Sequence, residues 1–543
     1  VILDFNKATN TYILKVPRKE GVDIKEIMNV HGLEFSMPAS TPETAVFFTK
    51  EPYAAVTFFR HATSAAKQNL AALSAVIETS WKSTSDRHFA VPADQELWEF
   101  QKASLEYALE RDHCLIGDEP GLGKTPIAIA YANEIQADRV LVVCPANIRL
   151  QWARKVREWS TMHWTREIHV LTNGKKGVNP TAEWTIVSYD LARTEAIGKA
   201  LAAGEYDLLI ADEAHYLKTI DSRRTRAIFG GGERRSFDPI VERCKRVLAL
   251  TGTPLPNRPR EAYTLARGLR WDAIDWMSED RFNYRFNPSQ LIIGFRPNGT
   301  EYRFVDERSG RLTELQNRLR GNFMVRHLKA DVMPQLHLPV FDLVRMEETS
   351  AIKAALAAES LLDIDPDLLE GADALILGHI AAVRKQMGVA MAPSVADYVE
   401  MLLLGGETKL VVFAWHLEVL SILEEKLKRY GVVRIDGHTS GTQKEARIAD
   451  FISNPKIQVI IGNLQSMGVG TDGLQLASCH ALIAEPDWAP ANNIQAFDRL
   501  NRGGQTRTVQ GDILVAPNSI AERVLASALR KMHITHIALD RRW

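Results

Sequence analysis

Cysteine is scarce in this chain, with four among 543 residues, and Cys114, Cys144, Cys244 and Cys479 never fall into a C-x-x-C spacing. That excludes a disulfide-framed scaffold and a ribbon-type zinc site, and it leaves reduced core thiols. An excess of one charge is also lacking, because 66 Lys+Arg stand against 67 Asp+Glu for a formal net charge of -1. A polyanion partner is still allowed, but it would need a local basic surface compensated elsewhere. No run of about 20 apolar residues is read. The first residues, Val1, Ile2, Leu3 and Asp4, lack the basic and then apolar pattern of a secretory signal, so a cytoplasmic location is expected. Low-complexity tracts and internal repeats are missing too, which sets aside fibrous and solenoid classes. His533 and His536 make one H-x-x-H without cysteine or carboxylate neighbours, a helix surface more than a ligand set.

What is present is ordinary globular material, 45% apolar and 24% charged, long enough for three or four folding units. Residues 1–90 read as a small α/β accessory domain: residues 11–16 alternate like a strand, and residues 53–81 space Phe58, Leu70, Leu73 and Ile77 like a helix. Residues 91–258 alternate short β-branched runs (140–143, 185–187, 208–210, 247–250) with helical stretches, the pattern of a parallel sheet covered by helices. Residues 259–400 read as a helical insertion and connection, with an acidic stretch at 363–373. A second series of apolar runs, at 410–413, 432–435, 459–461 and 481–484, makes residues 401–543 a second sheet domain. The loop Leu404-Gly405-Gly406-Glu407 marks its start.

Two strand ends carry chemistry. In the first, an apolar run enters Gly117-Asp118-Glu119-Pro120-Gly121-Leu122-Gly123-Lys124-Thr125 and is followed by a helical stretch. A loop of this kind turns backbone N–H groups toward phosphate oxygens. Lys124 then meets the β- and γ-phosphates and the Thr125 hydroxyl holds Mg²⁺. Asp118 stands where the general G-x-x-x-x-G-K-[ST] pattern wants glycine. In the second, residues 206–211 form an apolar strand ending in Asp212-Glu213-Ala214-His215. Asp212 is thereby placed beside the Mg²⁺, and Glu213 can orient and deprotonate an attacking water. Together the two motifs point to a nucleoside triphosphatase.

The D-E-A-H tetrad followed by a second sheet domain resembles the superfamily 2 helicase-like ATPases. D-E-P-G-L-G-K-T at 118–125 resembles more closely the D-E-x-G-L-G-K-T of the Swi/Snf-like duplex DNA translocases, which accounts for Asp118. Leu97-Trp98-Glu99-Phe100-Gln101 resembles the family segment whose Gln faces adenine. Val143-Cys144-Pro145 with Gln151-Trp152 resembles the motif after the second strand, and Ser188-Tyr189 resembles a DNA-facing turn. Leu250-Thr251-Gly252-Thr253-Pro254-Leu255-Pro256-Asn257 resembles L-T-G-T-P-L-Q-N, so that Thr251, Gly252 and Thr253, with His215, would couple nucleotide to DNA. Met324-Val325-Arg326-His327-Leu328-Lys329-Ala330-Asp331-Val332 resembles an element of the annealing-helicase subgroup.

In the second lobe, Asp436-Gly437 and the run from Gln495 through Asp498, Arg499, Asn501, Arg502 and Gly503 to Thr506 resemble D-G and Q-A-x-D-R-x-x-R-I-G-Q-T. Asn501 and Gly503 depart from the usual His and Ile, and M-G-V-G-T-D-G-L at 467–474 is an altered glycine-rich motif in which Gly468, Gly470 and Asp472 stand. The resemblance covers about residues 95–515. It implies two RecA-like parallel-sheet lobes with inserted helical elements and ATP with Mg²⁺ as cofactors. It also makes double-stranded or branched DNA the partner and is compatible with a monomer. Gln495, Arg499 and Arg502 would be catalytic, the two arginines reaching the γ-phosphate from one helix face when the lobes close. Trp488 stands in a W-N-P-like segment as either a DNA-facing aromatic or a core anchor.

The densest basic region, Arg223, Arg224 and Arg226 with Arg234, Arg235, Arg243, Lys245 and Arg246, could neutralise backbone phosphates or simply solvate a helix face. The implied activity is ATP-driven movement along duplex DNA that remodels or reanneals it or displaces bound proteins. A strand-separating helicase and an ATP-gated DNA clamp remain alternatives. Residues 1–90 carry no chemical motif and are expected to direct substrate choice.

Overall fold

The structure, a computed structural model, describes residues 1–18, 23–161, 167–175, 177–231, 237–256, 258–295, 301–337, 339–360, 374–468, 471–487 and 490–541. The acidic stretch 363–373, Arg234, Arg235, Asn257, Gly470 and Trp488 lie outside the described residues. By compactness the chain forms two units, residues 1–119, 123–328 and 533–543 in one and residues 120–122 and 329–532 in the other. The four-part division read from sequence character is finer than this.

The first unit is built on a seven-stranded, all-parallel sheet. Its strand order is Met324–Val325, His113–Ile116, Cys244–Leu250, Tyr206–Asp212, Val140–Cys144, Trp184–Ser188 and Ile168–Val170. Val140–Cys144 and Trp184–Ser188 are buried at every residue, as strands covered on both faces must be, which is why they read as continuous apolar runs. Met324–Val325 adds an edge pairing to His113–Ile116, so this lobe reaches well past residue 258, where the sequence reading ended it. Between Glu279–Phe286 and Leu312–Asn322, a two-stranded antiparallel hairpin, Ser289–Phe295 with Glu301–Glu307, pairs with no other described strand.

The accessory region is a four-stranded antiparallel sheet in the order Ile2–Asn6, Thr11–Pro17, Thr44–Thr49 and Glu34–Phe35, backed by the helix Ser64–Thr79. Thr11–Pro17 shows the alternating burial its sequence predicts. It belongs to the first compact unit, and charged groups hold it there. Arg318, 1% exposed, donates to Glu51 (2.8 Å) and Glu314 (2.9 Å), and Arg285 donates to the same two carboxylates at 3.1 and 2.7 Å. Removing one carboxylate leaves buried guanidinium charge short of a partner. Glu51→Ala is therefore expected to cost about 1–3 kcal/mol, read as a fall in the denaturant midpoint. An unchanged midpoint would show the network to be energetically idle.

The second unit has a six-stranded parallel sheet in the order Val340–Arg345, Gln510–Val515, His480–Ile483, Leu410–Ala414, Val459–Asn463 and Val432–Ile435. Its edge strand Val340–Arg345 lies some 60 residues before the start expected from the Gly405-Gly406 loop. The run Val340-Phe341-Asp342-Leu343-Val344 is apolar apart from Asp342, yet most of the strand is exposed, as suits a sheet edge. A second correction concerns apolar length, because residues 380–404 of the helix Ala374–Leu404 are long and apolar enough by composition to cross a membrane. Met387, Met391, Val395, Ala396 and Val399 of that helix are buried in the same cluster as Leu410, Val412 and Ile461, which makes it a core helix of this lobe.

His480 is buried between two carboxylates, Asp512 at 2.8 Å and Glu407 at 3.1 Å. Burial alone would depress its pKa, but hydrogen bonding and charge from Asp512 and Glu407 raise it above the ordinary value. A histidine raised on folding stabilises fully below its unfolded value of about 6.5 and loses that contribution as pH climbs through the raised value. Melting of the second unit should therefore move to lower temperature as pH increases from about 6.5 upward. His480→Gln should remove that dependence, and an identical pH profile in the variant would contradict the assignment.

Candidate active site

The glycine loop leaves His113–Ile116 and ends at the helix Lys124–Glu134. Gly121 and Gly123 have φ of 89° and 74°, a conformation that favours glycine, and a Cβ on Gly123 would come within 2.5 Å of the Gln101 amide and displace it. Gln101 is buried, accepting from the Trp98 N–H at 2.9 Å and donating to Gly123 O at 3.4 Å. Leu122 is buried, and Thr125 sits in the first turn of the following helix. Lys124 Nζ donates to the loop's own carbonyls, Asp118 O (2.7 Å) and Glu119 O (3.2 Å). Burial lowers its pKa, against the upward pull of Glu213, Asp118 and Asp212.

Asp118 has no exposed surface and accepts from Ser104 Oγ (3.0 Å), the His327 N–H (2.9 Å) and the His327 ring (2.9 Å). Burial pushes this carboxyl up, but the charge and hydrogen bonds of His327, with Lys124, outweigh it and hold the group below the usual carboxylate range. A glycine at 118 could make none of these side-chain bonds. The aspartate fastens the loop to the segment after Met324–Val325.

Asp212 ends the strand Tyr206–Asp212, and Glu213 follows with φ of 52°, a left-handed conformation that non-glycine residues adopt at a cost and that concentrates at functional sites. The Trp152 indole N–H, from the helix Arg149–Trp159, donates to Asp212 Oδ2 at 2.7 Å, and the Tyr189 hydroxyl donates to Asp212 O at 2.8 Å. Burial and the neighbouring Glu213 charge push Asp212 up to about 6, against the Trp152 bond and Lys124. Two adjacent carboxylates, buried Asp212 and half-buried Glu213, facing one lysine are a donor set that a divalent cation would neutralise, so the residues fit Mg²⁺.

His215 Nδ1 lies 3.1 Å from Thr251 Oγ1 and 3.3 Å from Glu213 Oε2, and Thr251 Oγ1 accepts the Thr253 N–H at 3.1 Å. The expected coupling residues thus meet: the D-E-A-H end touches the T-G-T turn directly, and Gly252 O accepts from Arg326 at 3.0 Å.

Other residues lie in places the sequence did not indicate. Ser188 is 2% exposed and its Oγ accepts the Leu191 N–H as a helix cap, so it presents no hydroxyl to DNA in this structure. Arg224 is paired with Asp190 at 3.0 Å, Arg226 is half-buried, and Arg223 is exposed.

In the second unit, the helix Pro490–Phe497 carries Gln495 and stops before Arg499 and Arg502, which stand in the turns that follow and not on one helix face. Arg499 is 7% exposed, with Nε donating to Gln495 O at 3.3 Å. Arg502 pairs with Asp472 and donates to Asp498 O at 3.1 Å, and Asp498 pairs with Lys329. Trp152 and His327 as anchors of Asp212 and Asp118 were missed as contacts, since only their motifs were legible.

A family profile described as the SNF2-related domain matches residues 100–351, and one described as the helicase conserved C-terminal domain matches residues 394–504. The chain belongs to the SNF2-related family. Among SNF2-related relatives, it is 30% identical over 459 residues to the DNA annealing helicase and endonuclease ZRANB3 of Bos taurus, covering 82% of this chain and 41% of that protein. It is 30% identical over 430 residues to the SWI/SNF-related matrix-associated actin-dependent regulator of chromatin subfamily A-like protein 1 of Xenopus tropicalis, covering 77% of this chain and 42% of that one. The chain thus spans about two fifths of the length of these relatives. The Sulfolobus solfataricus SWI2/SNF2 ATPase core in complex with dsDNA is similar over 84% of this chain and 99% of that chain, with 16% identity and a TM-score of 0.39.

Proposed function

We propose that the chain is a DNA-dependent ATPase that moves along duplex DNA, remodelling or reannealing it or displacing bound protein, with double-stranded or branched DNA as its cytoplasmic partner. The observation that carries the reading is the contact chain Glu213–His215–Thr251, which ties the water-activating carboxylate to the T-G-T turn within one lobe. That link lets a change at the nucleotide reach a second element without local unfolding.

Lys124 and the amides around Gly121 and Gly123 would hold the ATP phosphates, Gln101 would border the base, and Thr125 with Asp212 would hold Mg²⁺. The bound ATP and Mg²⁺ supply the phosphoryl group and its charge neutralisation. Glu213 would take the proton from the attacking water, and Arg499 and Arg502, braced by Gln495, Asp498 and Asp472, would be the cations offered to the γ-phosphate. Arg223 and Arg226 are candidate phosphate contacts, giving affinity that is tolerant of sequence and falls with salt.

The rival, a strand-separating helicase, is favoured by one observation. The unaccompanied hairpin Ser289–Phe295 with Glu301–Glu307 has the form of a separation pin. ATPase rates with single-stranded DNA, duplex, forked DNA and RNA discriminate the readings. Translocation on duplex predicts the steepest stimulation by blunt duplex. Stimulation by single strands alone would overturn it in favour of strand separation, and DNA binding without stimulated turnover would favour a clamp.

A further inference from the structure

Arg326 is an unusual arginine, because its whole guanidinium is spent inside the nucleotide lobe. It is 7% exposed, and Nη1 donates both to Gly117 O, at the exit of His113–Ile116, and to Gly252 O, in the T-G-T turn, the latter at 3.0 Å. One cation thus sets the spacing of the two loops that leave neighbouring strands beside the nucleotide. The other edge of the same guanidinium is gripped by Asp540, with Nε to Oδ1 at 2.7 Å and Nη2 to Oδ2 at 3.2 Å. This fork-on-fork geometry fixes the plane and rotation of the group as well as its charge.

The carboxylate is itself seated by a second buried arginine. Arg320 donates twice to Leu539 O, at 3.2 and 2.9 Å, donates to Arg326 O at 3.3 Å, and lies 3.3 Å from the Trp81 ring centroid. The loop end of the linkage has little slack, since a Cβ on Gly117 would already meet Pro254 and Val325 O at 3.3 Å. Burial would weaken the Arg326 charge, and the Asp540 carboxylate more than offsets this. Asp540 lies outside both family-matched spans and 25 residues past the end of the 95–515 stretch that carries the family motifs.

We propose that Asp540 is a positioning residue for ATP hydrolysis, acting through Arg326 to hold the Gly117 and Gly252 loops in the spacing that turnover requires. The inference rests on the ATPase reading above. Asp540 acts on the two loops through Arg326, so its loss should leave ATP binding nearly intact and lower the chemical step, because small misplacements around a reacting centre cost rate before affinity.

The test measures kcat and KM for ATP at saturating duplex DNA, with the affinity for a fluorescent ATP analogue and the thermal midpoint of each protein. Asp540→Asn keeps the shape and removes the charge, and it should lower kcat by about 10- to 100-fold with little change in analogue affinity. Asp540→Glu should recover most of that loss. Arg326→Lys keeps a cation that cannot fork to Asp540 while also bridging two carbonyls, and it should share the kcat defect, which covers the case in which the Asn variant does not fold. Wild-type kcat in either Asp540→Asn or Arg326→Lys would overturn the proposal, as would a kcat loss that follows the thermal midpoint and is not recovered by glutamate. A wild-type chain that hydrolyses no ATP with any nucleic acid would overturn both this inference and the functional reading.

Discussion

Turnover is expected to fall by roughly 10²- to 10⁴-fold when Glu213 is replaced by glutamine, while ATP remains bound. The carboxylate is close to His215 and adjacent to Asp212, while Lys124 donates to the loop carbonyls Asp118 O and Glu119 O that shape the phosphate cradle. Glutamine preserves size and polarity but cannot take a proton from water, so the loss falls on kcat. Lys124→Ala makes the opposite cut. It removes the cation from the cradle and should weaken ATP affinity itself, since phosphate charge would then be met by backbone amides alone. Equal analogue affinity in Glu213→Gln and Lys124→Ala would refute this division of labour, and so would retention of DNA-stimulated turnover in Glu213→Gln.

A larger effect is expected from the second lobe. Loss of Arg499 or Arg502 should reduce DNA-stimulated turnover by roughly 10³-fold or more, the size attached to arginines that meet transition-state charge in phosphoryl transfer. The two should differ in how they fail. Arg499 is buried and donates to Gln495 O, beside Lys444, whose pKa is lowered to about 8 by burial and by the Arg499 charge itself. Arg502 is held by Asp472 and Asp498 O, so removing it also takes a cation away from Asp472. Arg499→Ala is expected to act on kcat alone, and Arg502→Ala on kcat with some loss of DNA stimulation. Near-normal turnover in both would contradict the closure model.

The two chemical strand ends were legible because each is local. Asp118 to Thr125 and Asp212 to His215 are contiguous runs whose spacing alone specifies a loop before a helix and carboxylates at a strand end. What holds them was not legible, because it is long-range. Asp118 meets His327 across 209 residues, Arg326 meets Asp540 across 214, and Trp152 meets Asp212 across 60. The buried strands could be read from continuous apolar runs, whereas Val340–Arg345, an exposed edge whose apolar run is broken by Asp342, was absorbed into the connection before the second lobe. The placement of Arg499 and Arg502 shows the same limit: a spacing of three fits a helix face, but the helix ends at Phe497. Ser188 had the residue type for a phosphate contact, and local geometry used it as a cap instead.

The most direct test of the central claim is a triplex-displacement assay run beside a forked-duplex unwinding assay in one buffer. Movement along intact duplex needs no base pair to open, so the account predicts ATP-dependent release of the third strand, lost in Glu213→Gln, with no unwinding of the fork. Efficient unwinding of the fork, with ATPase stimulated by single strands and the triplex left in place, would contradict it.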